Sequence, residues 1–261
     1  MKNFYKRSIS ATMLLFLFAV AFIFKDQPYL QILISIVFFI SLYEMNFLLK
    51  LKNIKFFFYW LLSGIIYFLY IFDFYTFKYF IYISVIFWIF LAPYYILKVK
   101  IFFNSIDFIY GLIILFSLLF STIHLLNNND FLFLITLIIV WVSDIFAYLA
   151  GKFYGKTKLA PNVSPGKTIE GIYGAFIANL IIILILSFVF DNSFIKLFLL
   201  SLIVLPLSVC GDLFESLLKR KANLKDSGNL IPGHGGVLDR IDGLCSTLPI
   251  VACMSLFGFV I

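Results

Sequence analysis

The sequence predicts an all-helical, polytopic integral membrane protein. The 261-residue chain is 63% hydrophobic and only 13% charged, and its mean hydropathy is +1.08. A soluble domain of this length buries too small a share of its surface to hide so much apolar material. The apolar residues also run in continuous stretches, whereas a transmembrane barrel alternates them in ten-residue units. A bilayer takes roughly 20 apolar residues per helical crossing. On that measure the runs give nine spans, over 8–24, 29–49, 56–72, 77–97, 106–126, 131–150, 171–190, 194–218 and 243–261.

Each span follows from its apolar run and the polar break that ends it. The first begins after Lys6 and Arg7 and passes Ala19-Val20-Ala21, a small-residue run that a cleaved signal peptide would also show. Such runs are common in ordinary spans, and removing this one leaves the other eight in place. Lys50, Lys52 and Lys55 separate the second and third spans, and Lys98 and Lys100 follow the fourth. The fifth and sixth meet at Asn127-Asn128-Asn129-Asp130. Two loops are long, 151–170 and 219–242, and both are rich in Gly, Pro and Lys. Residues 1–130 read as a membrane-spanning region of five helices. Residues 131–261 read as a catalytic region of four helices, with 211–243 as its polar centre.

Charge orients the bundle. With the N-terminus in the cytoplasm, all basic residues but Lys25, Lys78 and Lys196 fall on that side, 17 of the 20, as the positive-inside rule expects. Both long loops then face the cytoplasm, in a cell membrane. The net charge of +7 reads as basic loops beside a membrane rather than a surface for nucleic acid, which is not expected as a partner. Cys210, Cys245 and Cys253 have no paired spacing and no neighbouring histidine, so they read as buried small side chains.

The chemistry concentrates in few residues. Asp144 interrupts the sixth span, and Asp212 and Glu215 lie near the cytoplasmic end of the eighth. A carboxylate within the bilayer is costly unless paired or set in a wet cavity, so it marks function by default. Asp212 and Glu215 are three residues apart and share a helical face. The plainer alternative is that they pair with Lys219 or Arg220 one turn on. Beyond them, the loop offers Lys219, Arg220, Lys221 and Lys225, then Gly233-His234-Gly235-Gly236, Asp239, Arg240 and Asp242. Glycines let backbone N–H groups approach an anion, and hard carboxylate oxygens beside phosphates are the usual holders of Mg²⁺. His234 is a candidate phosphate donor or proton carrier, with a turn residue as its alternative. In the other loop, Gly155-Lys156-Thr157 and Gly166-Lys167-Thr168 lack the glycine spacing and the preceding strand of a P-loop. What remains is a polyphosphate-binding loop, with Ser164, Lys167 and Thr168 as contacts. Glu44, inside the second span, either pairs internally or reaches a cavity.

Ser216 to Asp242, SLLKRKANLKDSGNLIPGHGGVLDRID, resembles the signature of the phosphatidate cytidylyltransferases (CDP-diglyceride synthetases) over all 27 positions. Gly211 to Glu215, Lys158 to Gly171 and Asp144 resemble the same family, so the likeness covers roughly 140–255. Thr168-Ile169-Glu170 departs from it, at a place where many members carry Trp or Gln. The resemblance implies transfer of CMP from CTP to phosphatidic acid with release of pyrophosphate, dependent on Mg²⁺. It implies Asp212 and Asp239 as principal metal ligands, with Asp144, Glu215 and Asp242 as further ligands, and a paired metal would bridge attacking and leaving oxygens. Lys167, Lys219, Arg220, Lys225 and Arg240 would hold phosphates, helped by His234 and by the backbone of Gly233, Gly235 and Gly236. The partners are then CTP, phosphatidic acid and membrane lipid, and a homodimer is compatible. Two rivals are weaker. A CDP-alcohol phosphotransferase would need a D-G-x-x-A-R run that Asp242-Gly243-Leu244 does not begin, and a proton-coupled transporter would not need a Gly- and Lys-rich loop with a second pair of carboxylates.

Overall fold

A computed structural model describes residue 22 and residues 29–71, 77–99, 107–230 and 235–259. Apart from Phe22, the span expected over 8–24 lies outside the described residues, as does its reading as a signal peptide. Eight helices follow: α1 (Tyr29–Leu48), α2 (Asn53–Ile71), α3 (Phe77–Lys98), α4 (Asp107–Asn128), α5 (Asp130–Tyr154), α6 (Ile169–Val189), α7 (Phe194–Ala222) and α8 (Leu238–Leu256). Among the described residues α1 to α7 are long and apolar enough to cross a membrane, which makes this a helical, polytopic membrane protein. The eighth helix opens on Asp239, Arg240 and Asp242 and so falls outside that group.

The helical class holds, with one short addition: β1 (Lys158–Ala160) and β2 (Ser164–Thr168) pair antiparallel between α5 and α6. Pro161 and Asn162 turn the chain there, and Val163, donating from its N–H to the Ala160 carbonyl at 3.1 Å, is buried and pins the turn to the bundle. The bounds expected for the 219–242 loop move. Helix α7 continues to Ala222, so Lys219, Arg220 and Lys221 are helical. Helix α8 starts at Leu238, which lifts Asp239, Arg240 and Asp242 out of the loop and onto a helix.

Local sequence explains the irregular helices. Pro93 has no N–H and its ring crowds the preceding turn. Phe87–Leu91 widens into a π turn there, with the Ala92 N–H reaching Phe87 O, as such bulges do. The turn places Trp88 and Phe87 edge-on against Phe214 of α7, in the core cluster beneath the polar end of the bundle. Helices α5 and α6 make the most extensive pairing. They approach closely because a Cβ on Gly174 would overlap that of Ala150, the small-residue contact that suits helices in lipid. The Asn179 amide donates to the Ser143 hydroxyl at 2.8 Å across the same interface.

Candidate active site

The polar end of α7 carries a line of side chains one turn apart. Asp212 accepts from the Ser216 hydroxyl at 3.2 Å through Oδ1 and pairs with Lys167 Nζ at 2.5 Å through Oδ2. Lys167 comes from β2, so the strand pair lies over this end of α7. Arg220 Nε reaches the Val163 carbonyl at 3.4 Å and joins the same two regions again. Glu215, three residues after Asp212, is buried and pairs with Lys219 Nζ at 3.1 Å. The plainer alternative therefore holds for Glu215 and fails for Asp212, whose partner Lys167 lies on another element.

Lys219 also reaches Asp239 Oδ1 at 2.6 Å and so ties α7 to the first turn of α8. Asp239 is filled by its surroundings. Its Oδ2 accepts from the N–H groups of Ser227 at 2.8 Å and Gly236 at 2.9 Å, and the Ser227 hydroxyl stands 3.0 Å away. Asp239, expected as a second principal metal ligand, turns Oδ2 to the loop and Oδ1 to Lys219. Asp242 lies on the same helix and faces the other carboxylates. It is within electrostatic range of Asp212, Glu215 and Asp144. Helices α7 and α8 come this close because a Cβ on Gly211 would strike the Asp242 carbonyl. Asp144 approaches from α5, within range of Lys167, Asp212 and Arg240.

Gly235 and Gly236 pack within the loop itself. Gly233 and His234 lie outside the described residues. Gly235 has a φ of +88°, which L side chains rarely adopt, and a Cβ there would meet Asp239 Oδ2 at 2.6 Å. Gly236 packs where a Cβ would collide with Ser227 Oγ and the Glu44 carboxylate, and its N–H points inward to Asp239. Thr168 is buried, and its hydroxyl oxygen caps α6 by accepting from the Gly171 N–H at 3.1 Å. Glu170 braces the same helix start by accepting from the N–H groups of Lys156 and Thr157, each at 3.1 Å. Ser164 is half-buried in β2, and Lys225 and Arg240 are exposed at this end of the bundle.

The residue that sequence reasoning left unplaced is Glu44. It stands near the end of α1, is 1% exposed, and accepts from Ser227 Oγ, Val237 N and Leu238 N, each at 2.9 Å. The one available signal was its position, a carboxylate inside an apolar run in the same half-turn as Asn46, and that signal names no partner.

No metal cage closes on these side chains alone: among the described residues no three carboxylate, histidine or cysteine side chains surround one point. Magnesium is commonly held by one or two carboxylates together with substrate phosphates. One or two of Asp212, Asp242 and Asp144, which lie within electrostatic range of one another at the bundle end, would suit that use, and Glu215 sits against Asp242.

Helices long and apolar enough to cross a membrane thus gather acidic and basic groups at one end. The chain belongs to the Cytidylyltransferase family, whose model it matches over residues 5–257. It is similar to the phosphatidate cytidylyltransferase of Haemophilus influenzae, 46% identical over 125 residues that cover 46% of this chain and 43% of that one. The enzyme of the same name from Pseudomonas aeruginosa is 48% identical over 126 residues, covering 47% of this chain and 46% of its own. That of Rickettsia bellii is 46% identical over 131 residues, covering 47% and 57%. The chain thus spans about half the length of the curated relatives it matches.

Proposed function

We propose that the chain transfers CMP from CTP to phosphatidic acid, giving CDP-diacylglycerol and pyrophosphate. The observation that carries this reading is the meeting of the two polar regions, Lys167 of β2 on Asp212 of α7, beside Asp242 and Asp144. Family membership and the names of the relatives support it. A phosphate oxygen of phosphatidic acid attacks the α-phosphorus of CTP. The bond to the bridging oxygen breaks, and its electron pair leaves with pyrophosphate. Both reactants are anions, so the barrier is chiefly electrostatic, and the protein acts by positioning and neutralising.

Lys167, Arg220, Lys225 and Arg240 supply positive charge for phosphates at the end of the bundle. Lys219 is the internal tie between Glu215 and Asp239. Asp212, Asp242 and Asp144 would hold Mg²⁺, which supplies charge neutralisation for the phosphates when bound. Asp239 sets the loop and the start of α8, and Ser164 and the Gly233–Gly236 run border the nucleotide. His234 is a phosphate donor beside them.

In this reading nine spans place the N-terminus and both polar regions in the cytoplasm of a cell membrane, with CTP entering from water and the lipid from the leaflet. Incubating the purified chain with phosphatidic acid and CTP labelled at the α-phosphorus tests it. Label passes into chloroform-soluble lipid in the presence of Mg²⁺; label that stays in water with phosphatidic acid present overturns the proposal.

A further inference from the structure

Helix α8 begins without a cap of its own: Val237, the residue before it, makes no side-chain capping bond. Its first N–H groups nonetheless have partners. Val237 N donates to Glu44 Oε1 and Leu238 N to Glu44 Oε2, both at 2.9 Å. The Ser227 hydroxyl stands 2.9 Å from Glu44 Oε2 and 3.0 Å from Asp239 Oδ2, and its single proton can satisfy one of them at a time. Gly228 and Gly236 wrap the same carboxylate so closely that a Cβ on either would strike it.

The donors come from 183 to 194 residues further along the chain. Among the described residues no lysine or arginine pairs with Glu44. A buried carboxylate is costly unless hydrogen bonds replace its water, and here the N-terminus of a helix supplies them along with a favourable dipole. Such an arrangement is cooperative: the charge is tolerated only if the loop is folded, and the loop end is satisfied only if the charge is there.

We infer that Glu44 is a positioning residue of this active site, a cap donated by α1 that holds Ser227, Gly228 and Gly236 and the first turn of α8. That turn carries Asp239, Arg240 and Asp242, and Asp239 passes the constraint to Lys219 and Glu215 on α7. Glu44 touches no reacting atom. It acts through the loop, and it gives the N-terminal membrane region a part in the site. Its catalytic consequence rests on the function proposed above; its hold on the loop does not.

The test uses the purified full-length chain in detergent, with Glu44→Ala, Glu44→Gln and Ser227→Ala variants. Glutamine keeps the length and one acceptor oxygen, but sets an amide N–H₂ against a backbone donor. Trypsin cleavage after Lys225 in the native protein reports the loop directly. The Glu44→Ala variant is expected to be cut about tenfold faster, with Glu44→Gln and Ser227→Ala in between. The same order, wild type above glutamine above alanine, is expected in kcat for CMP transfer into phosphatidic acid. Should the alanine variant fail to fold, the two milder variants decide. Cleavage within twofold of wild type in both overturns the inference. A wild-type chain that transfers no CMP sinks the proposed reaction, and the cleavage rates still decide the role of Glu44.

Discussion

In the proposed reaction Asp212 is the carboxylate that serves the phosphates, because its Oδ2 faces a lysine from another element and 29% of its side chain is exposed. Glu215, one turn deeper, is spent on Lys219. Replacing Asp212 with Asn keeps the size and the Ser216 contact but removes the charge. CDP-lipid formation is expected to fall about 10²-fold or more, the scale of removing one preorganised electrostatic group, with the melting temperature in detergent unchanged. The Gly236→Ala variant differs in kind. Its methyl group would meet Ser227 Oγ and Glu44, so it should lose about 1–3 kcal/mol through overpacking, read as a lower melting temperature together with lower turnover. At this scale the sequence was partly legible. Asp212, Lys167 and Asp242 announced themselves as charges in apolar or glycine-rich surroundings. The inward turn of Asp239 and the work of Glu44 depend on which N–H groups the loop leaves unpaired, and only the folded backbone fixes that.

At the scale of elements, the site depends on how closely α5, α6, α7 and α8 approach. Gly174 sets the α5–α6 separation against Ala150, and the two strands hang between those helices. Gly174→Leu would wedge them apart and move Lys167 away from Asp212. The expected outcome is a melting temperature lower by several degrees, for a cost of about 1–3 kcal/mol, with CMP transfer reduced more than stability alone explains. Turnover at the wild-type level would separate the helix packing from the site. The helices themselves were readable, since long apolar runs have one stable form in lipid. The strand pair was hidden, because Lys-Leu-Ala and Ser-Pro-Gly-Lys-Thr are too short to carry an alternating pattern. Its formation follows from the turn at Pro161 and the anchoring of Val163. The π turn in α3 was equally hidden, since Pro93 signals a break without saying which way the helix relieves it.

For the whole molecule, the contacts of Glu44 with the 227–238 segment, and of Arg220 with Val163, put the end of α1, the strand pair and the start of α8 at one end of the bundle. The asparagine-rich junction of α4 and α5 lies with the start of α1 around a cavity of about 420 Å³ at the other end. Alternating helices therefore carry the two ends to opposite membrane faces. A reporter inserted after Ala160 should read cytoplasmic and one at Asn128 should read the far side; the reverse pattern would invert the orientation drawn from the lysines. Chelation by EDTA should stop turnover, and added Mg²⁺ should restore it. Reversibility distinguishes a bound ion shared with substrate from one required for folding.

The central claim is that Asp212 and its neighbours neutralise two repelling phosphates with a divalent ion. Steady-state CDP-lipid formation by the Asp212→Asn variant, measured across a range of Mg²⁺ concentrations, addresses it most directly. Either no turnover, or residual turnover whose half-activating Mg²⁺ concentration rises about tenfold or more, is the result predicted. Wild-type turnover with an unchanged Mg²⁺ dependence would contradict it.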